Sequence, residues 1–151
     1  MTRLFRSLGA LLGGPYSTEE KRSQVAALCY RTKGADKEVL LITSRDTARW
    51  ILPKGWPIEG KDAAGSAMQE AWEEAGVRTG KISSSLGTFD YQKRLDDGQE
   101  TTCETQVFPI EVEHLAKDFP ERKQRRRKWV TTKKAATMVQ EPELQDILLA
   151  F

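Results

Sequence analysis

Between Trp50 and Val77 the chain reads WILPKGWPIEGKDAAGSAMQEAWEEAGV, and few local structures satisfy that stretch. Pro53-Lys54-Gly55-Trp56-Pro57 resists both helix and strand, because its prolines lack backbone donors and Gly55 weakens either ladder. A tight loop is predicted there, entered from a short strand over Trp50 to Leu52. Asp62 suits an N-cap, and Gly76 supplies the left-handed residue that commonly ends a helix. Between them Ala64, Ala67, Met68, Ala71 and Ala75 recur at core-face spacing. Glu70, Glu73 and Glu74, with Ser66 one turn earlier, fall on the other side, since residues three and four apart share a helix face. The unit reads as strand, rigid loop, acidic helix and glycine stop, with the carboxylates facing solvent.

Like charges at helical spacing repel by roughly a few tenths of a kcal/mol per pair. No Lys or Arg lies between Asp62 and Val77 to offset them. An ordinary amphipathic helix with an acidic solvated face is one explanation. A bound cation is the other, and an oxygen-only donor set points to Mg²⁺ or Mn²⁺. The loop, the spacing and the cap occur together, which favours the cation.

A length of 151 residues suits one domain with one core. A net charge of +2 is too small to indicate a nucleic-acid protein by itself. The distribution is more informative: acid gathers at Glu70 to Glu74 and base at Arg122 to Lys128. Cys29 and Cys103 lie in strand-like runs without metal spacing, and read as buried free thiols in a reducing cytoplasm. His114 is the only histidine, so a His-based triad or zinc centre has little to be built from.

Residues 1–20 read as a loosely ordered N-terminal arm. The apolar run from Leu8 to Leu12 is too short for a signal peptide, and nothing approaches the ~20 apolar residues of a membrane span. Gln24 to Arg31 and Glu38 to Ser44 read as a hairpin turning at Lys33 to Asp36. Their continuous apolarity predicts a sheet covered on both faces. After the helix, Lys81 to Gln92 is predicted as strand or extended chain, Asp96-Asp97-Gly98 as a hairpin turn, and Thr101 to Glu113 as a strand. Pro109 puts that last strand at an edge or a bulge. Lys117 to Lys128 reads as a polar loop and Trp129-Val130 as a short strand. Thr131 or Thr132 caps a helix reaching about Val139, and Pro142 opens another that turns Leu144, Ile147, Leu148 and Phe151 to the core.

The segment from Gly55 to Val77 resembles the Nudix box: Gly, five residues, Glu, seven residues, then Arg-Glu-apolar-x-Glu-Glu-x-Gly-apolar. Gly55, Glu70, Ala71, Glu73, Glu74, Gly76 and Val77 match at the required spacing, seven positions over twenty-three residues. Lys61 replaces the family's first Glu, and Gln69 replaces the Arg that orients the glutamates by ion pairing. The resemblance implies a single α/β domain over 21–151, an α/β/α sandwich around a mixed sheet. It implies metal-dependent hydrolysis of a phosphoanhydride. Gly55, Glu70, Glu73 and Glu74 would form the metal cage, with Glu104 or Glu111 as a further ligand, and the general base would be a box glutamate, Glu70 being favoured, or a loop carboxylate elsewhere. AALCYRTKGADKEVLLITSRDTARWILPKG is in addition similar to the diphosphoinositol polyphosphate and diadenosine polyphosphate phosphohydrolases. Those relatives carry a glycine triplet where Lys54-Gly55-Trp56 stands here.

Such a reaction needs cations to hold the phosphates. Arg22, Arg31, Arg45, Arg49, Lys54, Lys93 and Arg94 are candidates, each also explicable as a solvated surface charge. The run Arg122 to Lys128 has six basic residues in seven. It reads as a solvated loop, a nucleic-acid patch, or a clamp in which Arg125, Arg126 and Arg127 grip distal phosphates. Trp50, Trp56 and Trp129 are candidate stacking surfaces for a base. The favoured expectation is a small-molecule pyrophosphohydrolase acting on a diadenosine or diphosphoinositol polyphosphate. A catalytically weak nucleotide sensor and an enzyme acting on RNA 5′ ends are the alternatives.

Overall fold

The computed structural model describes residues 20–151, so most of the expected N-terminal arm lies outside the described residues. Eight strands form one sheet: β1 (Arg22–Lys33), β2 (Asp36–Thr43), β3 (Trp50–Ile51), β4 (Lys54–Gly55), β5 (Val77–Ile82), β6 (Gly87–Arg94), β7 (Glu100–Leu115) and β8 (Arg127–Thr131). The main path runs β3-β2-β1-β7-β5, with β4 beside β1, β6 beside β7 and β8 beside β2. The β1–β7 pair is parallel and the other pairs are antiparallel, which makes the sheet mixed.

Side-chain alternation along the central strands builds the layers. Val25, Ala27 and Cys29 of β1, Leu40 and Ile42 of β2, and Phe108 and Ile110 of β7 pack beneath α1 (Ala63–Ala75), against Ala67, Ala71 and Ala75. The intervening Ala26, Leu28, Val39, Leu41 and Val107 pack on the opposite face. There they meet Ala135 and Ala136 of α2 (Thr132–Met138) and Leu144 and Leu148 of α3 (Pro142–Ala150). The small alanines of α1 let the helix sit close to the sheet. This is the expected α/β/α sandwich, and the buried residues on both faces of β1 and β2 explain their unbroken apolar runs.

Three local expectations change. The Pro53–Pro57 loop contains a two-residue strand, because Lys54 and Gly55 pair with Ala26 and Val25. The Ala27 N–H also donates to the Pro53 carbonyl at 2.9 Å, so the loop is fastened to the centre of the sheet. The extended stretch after the helix is two strands, and β5 begins at Val77 directly after the glycine stop. Finally, β7 is internal, with Pro109 opposite Leu28 of β1. The Pro109 carbonyl accepts from Ser83 N–H at 3.0 Å, so its donorless nitrogen faces the break between β6 and β5, where no ladder bond is required.

Candidate active site

The acidic helix starts and stops as its sequence dictates. Asp62 Oδ1 accepts from Gly65 N–H at 2.7 Å, and Gly76 takes φ +78°. A Cβ on Gly76 would lie 2.6 Å from Phe119 and 2.9 Å from the Arg127 guanidinium. That guanidinium donates to the carbonyls of Ala75 and Ala116, each at 2.9 Å. Arg127 thus closes the negative end of the helix, as a cation there should.

The polar face is less exposed than its composition suggested. Ser66 and Glu74 are buried, and Glu70 and Glu73 are half-buried. Ser66 Oγ accepts from Ile58 N–H at 2.9 Å, tying the loop down onto the helix. Glu74 Oε1 accepts from Lys54 N–H at 3.2 Å. Gly55 lies so close to the helix that a Cβ there would stand 2.5 Å from the Glu70 carboxyl carbon. Glycine is needed at this position for proximity, and loop and carboxylates form one surface. Glu73 turns aside: its Oε2 accepts from the Gln69 side-chain amide at 2.7 Å, the neutral hydrogen bond expected of a Gln in place of Arg.

Glu121, which the sequence reading missed, completes the carboxylate group. Its backbone N–H donates to the Glu73 carbonyl at 3.0 Å, docking the 117–126 loop on the helix. Arg125 is nearly sealed, with 6% of its side chain exposed. Its Nε lies 2.8 Å from Glu121 Oε1, its Nη2 3.6 Å from Glu74 Oε2, and its Nη1 donates to the Thr43 carbonyl at 3.0 Å. One guanidinium therefore joins the helix, the loop and β2. A Glu four residues before an Arg, at 121 and 125, was the available signal, hidden beside a conspicuous basic run.

These groups floor a cavity of about 690 Å³. Glu70, Glu74, Glu121, Gly55 and Arg125 line it together with Arg45, Arg49, Lys54, Lys93 and Arg94. Arg49 is partly committed, to Glu141 at 2.9 Å. Lys54 Nζ stands 4.7 Å from the Tyr91 ring centroid, and burial lowers its pKa to about 8. Arg22, Arg126, Arg127 and Glu73 are not among the lining residues. Arg22 begins β1, Arg126 is exposed beside Trp50, and Arg127 holds the helix end. The three consecutive arginines thus have three different surroundings, and only Arg125 reaches the cavity. Glu104 and Glu111 lie on β7 away from it.

The electrostatics follow from burial first and crowding second. Burial, then hydrogen bonding with Glu74, then the charges of Glu74, Glu73 and Glu121 raise the Glu70 pKa to about 8. Burial also raises Glu74, against the opposing pull of Arg125. Among the described residues no three acidic, His or Cys side chains already converge as metal ligands. The donor chemistry fits a divalent cation all the same: the oxygens are hard donors, and a cation would offset the burial and the crowded charge that raise the Glu70 pKa.

The comparisons with known proteins identify the family. The NUDIX domain model matches residues 21–149. Diphosphoinositol polyphosphate phosphohydrolase 3-alpha of Mus musculus is 32% identical over 127 residues, covering 83% of this chain and 73% of the relative. Nudix hydrolase 21, chloroplastic, of Arabidopsis thaliana is 34% identical over 145 residues, covering 90% of this chain and 69% of the relative. The crystal structure of C. elegans Ap4A hydrolase superposes with a TM-score of 0.61 at 18% identity, over 86% of this chain and 95% of that one, a likeness of fold alone. With the box helix, its glycine-closed loop and a family match over most of its length, this chain belongs to the Nudix family and is a Nudix pyrophosphohydrolase.

Proposed function

We propose that the chain hydrolyses a phosphoanhydride bond within a polyphosphorylated small molecule, of the diadenosine polyphosphate or diphosphoinositol polyphosphate kind, with Mg²⁺ or Mn²⁺. The observation that carries this reading is the division of one cavity into a carboxylate floor and a cationic wall. Glu70, Glu74, Glu121 and the Gly55 carbonyl would hold the metal. When bound, it would neutralise the diphosphate and make a water molecule more acidic. Arg45, Lys93 and Arg94 bind phosphates beyond the scissile bond, where extended charge needs several cations. Glu70 is the assigned base, because its half-buried carboxyl lies on the cavity floor beside the groups that would hold the metal. Arg125 holds Glu74 and Glu121 in place rather than touching substrate. A cytoplasmic setting suits two buried free thiols, Cys29 and Cys103.

The test is phosphate release, with and without Mg²⁺, from diadenosine polyphosphates, diphosphoinositols, ADP-ribose, nucleoside triphosphates and capped RNA. Glu70→Gln should lower kcat on the best substrate by about 10²- to 10⁴-fold, the range of a lost general base. Near wild-type turnover of that variant at saturating Mg²⁺ would refute the assignment, and preference for long RNA would refute the substrate class.

A further inference from the structure

All four tryptophans have a cation over the ring, but three of them are half-buried. Trp50 packs against the core on the α2–α3 side, with the Arg126 guanidinium carbon 5.7 Å from its ring centroid. Trp129 packs on the α1 side, with Arg31 at 4.3 Å, and Arg78 stands 4.9 Å over Trp72. Trp56 differs. It is 39% exposed, it lines the cavity, and the Lys93 ammonium stands 6.0 Å from its ring centroid.

Its position is also fixed. On one side Gly55 is paired to Val25 in the sheet. On the other, Pro57 restricts the chain and Ile58 N–H is bonded to Ser66 Oγ at 2.9 Å. The indole is carried on this fixed backbone as an apolar plate beside a floor of carboxylates and a wall of cations. Phosphates alone make no use of such a plate, because a hydrated anion gains nothing from an aromatic face. A nucleobase does, since every base has a π face and stacks on aromatic side chains. Lys93 at the indole would meet the phosphate chain leaving the stacked nucleoside.

Resting on the hydrolase reading above, we propose that Trp56 is a base-stacking subsite and that it selects nucleoside polyphosphates over substrates that carry phosphates without an aromatic ring. The indole takes the base, and Lys93 and Arg94 take the phosphates between the base and the carboxylate floor.

Binding tests this independently of turnover. The affinity of the full chain with Mg²⁺ is measured by calorimetry for adenosine 5′-(α,β-methylene)diphosphate and for methylenediphosphonate, which carry the same two phosphorus groups and no anhydride bond to cleave. The wild type should prefer the nucleoside ligand by about 5- to 100-fold, the range of one base–aromatic stack. Trp56→Ala should abolish that preference by weakening only the nucleoside ligand, and Trp56→Phe should keep most of it. Equal affinities in the wild type, binding of neither ligand, or a loss in Trp56→Ala shared by both ligands would overturn the proposal. Phosphate release is scored separately. Turnover without a nucleoside preference defeats this subsite alone, and a Trp56-dependent preference without turnover defeats the hydrolase reading alone.

Discussion

Replacing Arg125 by Ala should unfold the protein more readily, although a sequence of consecutive arginines gives no warning of it. The guanidinium is 6% exposed, and its partners Glu74 and Glu121 keep only 9% and 19% of their side chains exposed. Truncation removes a 2.8 Å ion pair to Glu121, a 3.6 Å pair to Glu74 and a hydrogen bond to the Thr43 carbonyl. The larger effect is what remains: Glu70, Glu74 and Glu121 share one cavity with their nearest buried cation gone. Breaking a buried pair from one side costs about 3–5 kcal/mol. For a domain of this length each kcal/mol lowers Tm by roughly 2–4 °C, so a fall of about 6–20 °C is expected. Arg126→Ala is the control, because Arg126 is exposed and its loss should stay within about 0.5 kcal/mol. Calorimetric or circular-dichroism melts of both variants against wild type decide the matter. A Tm for Arg125→Ala within about 2 °C of wild type would show that the guanidinium does not organise the carboxylates. Lost substrate affinity with an unchanged Tm would make it a substrate ligand instead.

Two glycines of the box should fail in different ways. Gly55→Ala places a methyl 2.5 Å from the Glu70 carboxyl, the free end of a flexible side chain, so urea titration should show a change under about 1 kcal/mol. Turnover should nevertheless fall by about 10²-fold, the effect of a displacement near 1 Å at the chemistry. Gly76→Ala adds a left-handed strain of about 1–2 kcal/mol to collisions with Phe119 and Arg127, and the same titration should show a loss above about 2 kcal/mol. Burial leaves Cys29 wholly covered and pushes its thiol up to about 12, so an aromatic disulfide reagent at pH 8 should leave it unmodified in the native protein and react in urea.

Features governed by a few neighbouring residues were legible before the structure. Asp62 and Gly76 cap the helix as their types require, and the alanines at 67, 71 and 75 face the sheet. Features created by distant parts of the chain meeting were not. Helical spacing puts Glu70 and Glu74 on one face but does not reveal that the loop and Arg125 cover it. Glu121 becomes a cavity carboxylate only because its loop docks on the Glu73 carbonyl. Pro109 signalled an edge, and its tolerance inside the sheet depends on where β6 stops and β5 starts. The basic run was read as one unit, yet Arg125 is bonded to the Thr43 carbonyl, Arg126 lies over Trp50 and Arg127 closes the helix end.

The parallel pairing of β1 with β7 bears on how the chain is made. On the ribosome the acidic helix and its loop are complete by Val77, but Arg22 must wait for Cys103, about eighty residues later, to find its partner across that flank. Until then β1, with six consecutive residues that end up buried, offers one bare edge to any other chain. Closing so long a loop comes late and slowly, because its entropy is lost before the contacts form. A fragment ending soon after the box would therefore carry most of the cavity's carboxylates and fail as a protein. Its hazard is pairing with its own copies through β1, and β7 is the strand that ends the exposure.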